Sequence, residues 1–316
     1  MEEVGCLFCK THVAEVFLEE NGYAVRRCPR CGLIYLSPRP TPCEMAHLYD
    51  AGASGGAVPE EHVRARPVAR LIARHTLNII RRFRASGDIL EVGAGGGHFL
   101  REARRCGFAP HAVEVSRPLA TFLSAELAIE TENCAVGQRD FFRGRSFDVI
   151  YHRNVLSHLH APLAAFAQFG AKLKDGGVMV FETGNLGGVS AGWVRFAAPL
   201  HLPEHLYFFS ERHVRQLLKE TGFELVALYR HTTLLPIAAR KIAAAAGNVA
   251  ARLSGRRAGK EKSAPGSACS DTHVRPGKAG LSNLVAHLNF FASYRLARVC
   301  PQTWPAAVIY VARKRA

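Results

Sequence analysis

Two cysteine pairs stand near the start of the chain, Cys6-Leu-Phe-Cys9 and Cys28-Pro-Arg-Cys31, with eighteen residues between them. Paired thiolates at this spacing surround a single tetrahedral ion, and zinc is the ion such a set takes. Four thiolates leave no coordination position open, so the metal is expected to be structural. Gly32, directly after the second pair, fits a sharp turn that lets backbone amides reach the sulfurs. Cys43, Cys106, Cys134, Cys269 and Cys300 are isolated and read as packing residues.

A second constellation is Ile89-Leu-Glu-Val-Gly-Ala-Gly-Gly-Gly-His-Phe99, a glycine-rich turn between an apolar strand and a helix. Gly93, Ala94, Gly95 and Gly97 would let the backbone approach a ligand where larger side chains collide. Dinucleotide-binding folds use a similar turn. Glu91, however, places a carboxylate where a pyrophosphate is repelled and a cationic amino acid or sulfonium is attracted. Glu114 closes the next strand, where an acid accepts from both ribose hydroxyls. Ser146 to Leu159 is a third strand that runs into polar residues at its carboxyl end, and there Arg153 and Asn154 are expected against the ligand's amino-acid portion.

The elements that must position these groups alternate between short apolar strands and helical stretches, the pattern of a parallel sheet covered by helices. Strands are expected at Ile89 to Val92, His111 to Val115, Phe147 to Tyr151, Val178 to Glu182 and Phe223 to Tyr229, with a weaker one near Asn133 to Val136. Helices are expected over Gly97 to Arg105, Pro118 to Ala128, Pro162 to Leu173 and Glu211 to Thr221. A last strand, Ala306 to Ala312, returns to the sheet edge.

Four segments follow: a zinc-binding module over 1–45, a connector and Arg-rich helix over 46–87, an α/β domain over 88–230 plus 306–316, and an insertion over 231–305. The first segment ends in the stiff run Ser37 to Pro42, and a flexible stretch follows from Tyr49 to Gly56. Between Arg240 and Lys278 nine Lys or Arg face only Glu261 and Asp271, so the insertion is expected to be basic, helical or partly disordered.

With 48% hydrophobic and 21% charged residues, the 316-residue chain reads as folded. Its net charge of +15 suits phosphates, nucleic acid or an anionic membrane face, and charge alone does not choose among them. The N-terminus lacks a basic start followed by an apolar run, and the best apolar candidate for a membrane span, Thr232 to Ala246, is short and broken by Arg240 and Lys241. A cytoplasmic location is expected.

On these residues the chain resembles the class I S-adenosylmethionine-dependent methyltransferases. EVGAGGG is similar to their first motif, Glu114-Val115-Ser-Arg-Pro to the ribose-binding acid and its followers, FDVIYHRNVLSHL to their FD...VLEHL stretch, and Lys174-Asp-Gly-Gly177 to their LKPGG turn. The cysteine pairs, CGLIYLSPRP and Tyr49-Asp50 resemble the zinc-binding module of a subset that includes sugar C-methyltransferases. The resemblance implies a Rossmann-like seven-stranded sheet, S-adenosylmethionine and structural zinc as cofactors, and a small methyl acceptor.

The loop His201-Leu-Pro-Glu-His-Leu-Tyr-Phe-Phe-Ser210 is similar to the HEH-x-x-Y-F-S segment of those C-methyltransferases, with Pro203 in place of the first His. The likeness implies His205 as general base, titrating near neutral pH, with Glu204 orienting it. In many relatives the same His and aromatics only close the pocket. Ser157 stands where the family often has Glu, and Gln138 where an acid contacts adenine.

Other readings weigh less. An RNA- or DNA-modifying enzyme would use the zinc module and basic surface, but its Asn/Asp-Pro-Pro-aromatic segment is replaced here by His152-Arg-Asn-Val155. An inactive scaffold would need a broken glycine turn. The acceptor is therefore expected to be a sugar, a natural-product or glycan intermediate or another metabolite, phosphate-bearing acceptors included.

Overall fold

Strand β1 (Leu18–Glu20) turns at Asn21-Gly22 into β2 (Tyr23–Arg27), and β3 (Ile34–Leu36) lies antiparallel beside it. The computed structural model describes residues 1–51, 63, 67–190, 192, 194, 200–232, 288 and 306–315. The expected basic segment Arg240 to Lys278, with Cys269 and Cys300, lies outside the described residues, as do residues 52–62 of the expected flexible stretch and Arg-rich helix.

Helix α1 (Pro42–Ala51) follows the module, and α2 (Pro67–Ile80) leads into β4 (Gly87–Val92). Then come α3 (His98–Arg105), β5 (Phe108–Val113), α4 (Arg117–Ala125), β6 (Glu130–Glu132), β7 (Phe147–Arg153), α5 (Pro162–Lys172) and β8 (Leu173–Gly184). After β9 (Tyr207–Phe208) the chain completes α6 (Glu211–Glu220), β10 (Phe223–Thr232) and β11 (Ala306–Lys314).

The seven-stranded sheet has the order β10-β11-β8-β7-β4-β5-β6, with β11 antiparallel to both neighbours and the other pairings parallel. From β4 the chain builds outward through β5 to β6, then returns to place β7 on the other side. The strand order therefore reverses between β4 and β7, and open α/β sheets bind ligands outside the carboxyl ends at such a point.

Side chains of the central strands alternate between two cores, as period-two geometry requires. Leu90, Ile150, Met179, Phe181 and Tyr310 meet Phe166 and Phe169 of α5 and Leu217 of α6. Ile89, Val149, Tyr151, Val180 and Ile309 meet Leu77 of α2 and Leu100 of α3. Phe166 is fully buried, and its truncation to Ala is expected to cost about 3–5 kcal/mol. Local signals set the helix starts: Pro118 and Pro162 stand in first turns, and Ser210 caps α6 in a reciprocal pair with His213.

Three expectations change. The weak strand falls at Glu130–Glu132 and not at Asn133 to Val136, because it must pair with His111 to Val113 of β5. Lys174 to Gly177 form a bulge inside β8: Leu173 pairs with Phe147 and Val178 with Val149. β11 does not take the sheet edge; it runs between β8 and β10, buried from Ala306 to Ala312. Among the described residues no helix is long and apolar enough to cross a membrane.

Candidate active site

The glycine turn sits at the carboxyl end of β4. Gly93 adopts φ +71° and donates its amide to the Val113 carbonyl at 2.8 Å, and a Cβ there would meet Val155 Cγ2 at 2.6 Å. Gly97, at φ +69°, caps α3, and a Cβ there would meet Leu123 and Leu127 at 2.7 Å. Ala94, between them, is buried. The backbone thus follows a path that side chains would block.

Two buried carboxylates border this turn. Glu114, one residue past β5, accepts from the Gly95 amide at 2.8 Å and from the Ser116 amide at 2.9 Å. These two backbone amides hold the carboxylate against the glycine turn at the carboxyl end of the sheet, where an acid that meets a ribose would stand. The Glu114 and Val115 carbonyls are both held by Asn133 Nδ2, at 2.8 and 2.9 Å. Glu91 is buried with Oε2 lacking a hydrogen-bond partner, and burial, reinforced by Glu114, raises its pKa well above the ordinary value against the pull of Arg153. An orphaned carboxyl oxygen beside a glycine-rich turn fits a cationic amino-acid ligand carrying a ribose.

Arg153 and Asn154 lie at the end of β7. Arg153 Nε donates to Glu182 Oε1 at 3.1 Å, and the Asn154 amide to the Glu182 carbonyl at 2.9 Å. Gln138 is exposed in the turn after β6, and among the described residues no hydrogen bond ties it to the glycine turn.

Residues 61–228, more than half of the chain, match the family described as "Methyltransferase domain". The chain belongs to this methyltransferase family. A ubiquinone biosynthesis O-methyltransferase from Nitrosococcus oceani is 32% identical over 106 residues, covering 32% of this chain and 45% of that protein, so the match spans less than half of the relative. The fold is similar to that of a Burkholderia thailandensis 1,6-didemethyltoxoflavin-N1-methyltransferase with bound 1,6-didemethyltoxoflavin and S-adenosylhomocysteine (TM-score 0.51, 15% identity, 96% of this chain and 100% of that one). It is also similar to that of the [4+2]-cyclase SpnF (TM-score 0.50, 16% identity, 88% and 98%). At these identities the two structures speak for the fold alone.

Separate segments of the methyltransferase bring histidines together. His158 ends a 3₁₀ turn behind β7, and its Nδ1 lies 2.9 Å from the Tyr49 hydroxyl of α1. The His158 and His205 rings meet edge to face at 4.7 Å, and His201 stands 5.7 Å from His205. His205 Nδ1 is 2.8 Å from the Leu200 carbonyl, which can only accept, so Nδ1 carries the proton and Nε2 the lone pair.

This geometry corrects two expectations. Burial, aided by His201, pushes His205 down to about 4, so it does not titrate near neutral pH. The Leu200 carbonyl, not Glu204, orients its ring. Burial raises the Glu204 carboxyl, and its charge bears on Tyr49 together with that of Glu114. Tyr207 faces the N-terminal module: its hydroxyl accepts from Arg39 Nη1 at 2.9 Å, and its backbone pairs with Tyr35 in β3. His152 is fully buried, stacked on Phe181 at 4.9 Å, and burial lowers it to about 3, which makes it a core residue.

The sulfurs of Cys6, Cys9, Cys28 and Cys31 lie within 4.8 Å of one another. Tetrahedral zinc with bonds of about 2.3 Å places sulfurs about 3.8 Å apart, so the set fits the ion. Burial opposes ionisation of Cys28, but the amides of Cys31 and Arg30 aim at its sulfur and bring it to about 7. The Cys31 carbonyl accepts from Arg212 Nη2 and from His213 Nε2, each at 2.9 Å, which seats the second knuckle on α6.

Sequence reading missed Tyr49's contact with His158, and it missed Glu20 and Glu182 altogether. Glu182 was legible only as the last residue of an apolar strand on the ligand edge. Nothing local distinguishes Glu20 from Glu19.

Proposed function

We propose that this methyltransferase acts on a small molecule whose accepting oxygen or carbon carries an acidic proton, as a phenol or enol does. One observation supports this reading most: Tyr49 bonds His158 while feeling the charges of both Glu114 and Glu204, so it joins the cofactor side of the site to the His205 loop.

The bound cofactor supplies an activated methyl on a sulfonium. Gly93 and Gly95 shape the backbone path for S-adenosylmethionine, the unpartnered Glu91 Oε2 can accept from its amino group, Glu114 faces its ribose, and Arg153 and Asn154 meet its amino-acid portion. His205 offers the Nε2 lone pair as base. With the imidazole held down at about 4 it is a weak base, and it draws a proton more readily from a phenol at about 10 than from an alcohol. A base of this strength suits the more acidic acceptor. The match to an O-methyltransferase of ubiquinone biosynthesis agrees with such an acceptor. The four cysteines hold a structural zinc, in keeping with their closed ligand set.

The test has two arms. Calorimetry with S-adenosylhomocysteine and with NADH should show binding of the first only. Radiolabelled methyl transfer should then favour phenolic and enolic compounds over sugar nucleotides and over RNA or DNA. Transfer to nucleic acid alone would overturn the small-molecule reading.

A further inference from the structure

Glu20 ends β1, in the hairpin between the two cysteine pairs, and touches neither the cysteine sulfurs nor the glycine turn. Its Oε2 accepts from the Leu200 amide at 2.6 Å and its Oε1 from the Leu202 amide at 3.0 Å. The next residue, Asn21, donates its side-chain amide to the Leu202 carbonyl at 3.1 Å. Three hydrogen bonds from one hairpin thus hold the main chain at Leu200 and Leu202, the residues that flank His201.

We infer that Glu20 is a positioning residue for His205, acting through Leu200. Leu200 is the link: its amide N–H donates to the Glu20 carboxylate, and its carbonyl, in the next peptide group across the Cα, accepts from His205 Nδ1 at 2.8 Å. Bonds to a charged acceptor are roughly twice as strong as neutral ones, which suits them to pinning a loop. The far end of the loop is held by the same module, because the Leu36 amide donates to the Leu206 carbonyl at 2.9 Å and β9 pairs with β3. His205 lies between two anchors, and its ring then has one orientation, with Nδ1 protonated and Nε2 presented.

The cysteine module is thereby part of the catalytic apparatus. Folding the β1–β2 hairpin places a carboxylate 180 residues away in sequence from the peptide it holds. A module that only recognised a separate partner would have no need to do so.

The inference rests on the reading of His205 as base for its significance, but its test does not depend on an acceptor. Nitrogen NMR of the imidazole rings in the zinc-loaded protein should show wild-type His205 as the Nδ1–H tautomer. In Glu20→Gln one carboxylate oxygen becomes an NH2 group facing an amide donor. The His205 ring should then shift toward a mixture of tautomers, and the Leu200 and Leu202 amides should exchange about tenfold faster, as expected for loss of about one hydrogen bond. Zinc content and S-adenosylhomocysteine binding should stay unchanged. Glu20→Asp, one methylene too short to span both amides, gives the same shift should Glu20→Gln fail to fold. An unchanged tautomer in a variant whose loop amides do exchange faster, or an Nε2–H ring in the wild type, overturns the inference. Failure of the base reading appears elsewhere, as full methyl transfer by His205→Asn.

Discussion

Arg153 and Glu182 are cross-strand neighbours at the carboxyl ends of β7 and β8, joined from Nε to Oε1 at 3.1 Å. His231 of β10 approaches the same oxygen at 3.6 Å. Glu182 is 1% exposed, so burial alone would push its pKa up; Arg153 and His231 instead hold it down at about 2. The carboxylate fixes Arg153 at the mouth of the site, where a charge is hard to keep in place.

Glu182→Gln should release Arg153 and weaken S-adenosylhomocysteine binding by about tenfold, comparable to losing one charged hydrogen bond. The acid limb of stability should change as well. A carboxyl depressed to about 2 in the fold and near 4.5 in the unfolded chain stabilises above 4.5, and that contribution is lost as pH falls from 4.5 toward 2. Calorimetry and acid unfolding check both; an unchanged acid profile in the variant would contradict the pairing.

Gly93→Ala should impair cofactor binding for two separable reasons. The new Cβ meets Val155 Cγ2 at 2.6 Å, and φ is +71°. Adding Val155→Ala removes the collision but leaves a left-handed backbone cost of about 1–2 kcal/mol. The double variant should therefore recover part of the affinity lost by the single one, and equal affinities in a titration with S-adenosylhomocysteine would show that the collision is unimportant.

The cysteine site should carry one zinc per chain, absent when Cys28 and Cys31 are replaced by Ser. Because the module's β3 pairs with β9 and the Cys31 carbonyl is gripped from α6, the loss should spread beyond the first forty residues. A fall in Tm of about 10 °C or more is expected for a loss of several kcal/mol in a chain of this size. Elemental analysis with thermal unfolding measures both, and a metal-free wild type of full stability would falsify the assignment.

His152→Phe should leave methyl transfer intact. The native ring stacks on Phe181 with both nitrogens buried and without partners, so removing two polar atoms is neutral or stabilising. Burial lowers the group from 6.5 to about 3, so it stabilises above 6.5 and that contribution falls away as pH drops from 6.5 toward 3. Over that range the variant's stability should depend on pH with a slope smaller by about 1.4 kcal/mol per pH unit, the value for one proton. A large loss of activity would make His152 a candidate base and contradict its place in the core.

Some of the site was legible because its signal is local. Glycine enters left-handed backbone without steric cost, as Gly93 and Gly97 do, and a strand before them and a helix after them are written in adjacent residues. Two C-x-x-C pairs bring their sulfurs together through short turns. The strand near residue 133 was misplaced because a strand of three residues is set by its partner, here His111 to Val113, and not by its own composition.

The histidine cluster was not legible in the same way. The run from His201 to Ser210 marked where His205 sits, and a loop after the fifth strand had to lie on the ligand edge. What the sequence by itself determined is therefore the cysteine quartet, the glycine turn, the acids flanking it and the α/β order that gathers them at one sheet edge, since each follows from spacings of a few residues. Tertiary structure alone decided that Leu200 and not Glu204 orients His205, that Tyr49 reaches His158, that Tyr207 turns toward Arg39, and that Glu20 holds the loop. A side chain's hydrogen-bond partner and proton affinity depend on burial and on charges brought in by distant segments, and those sums exist only once the chain has folded.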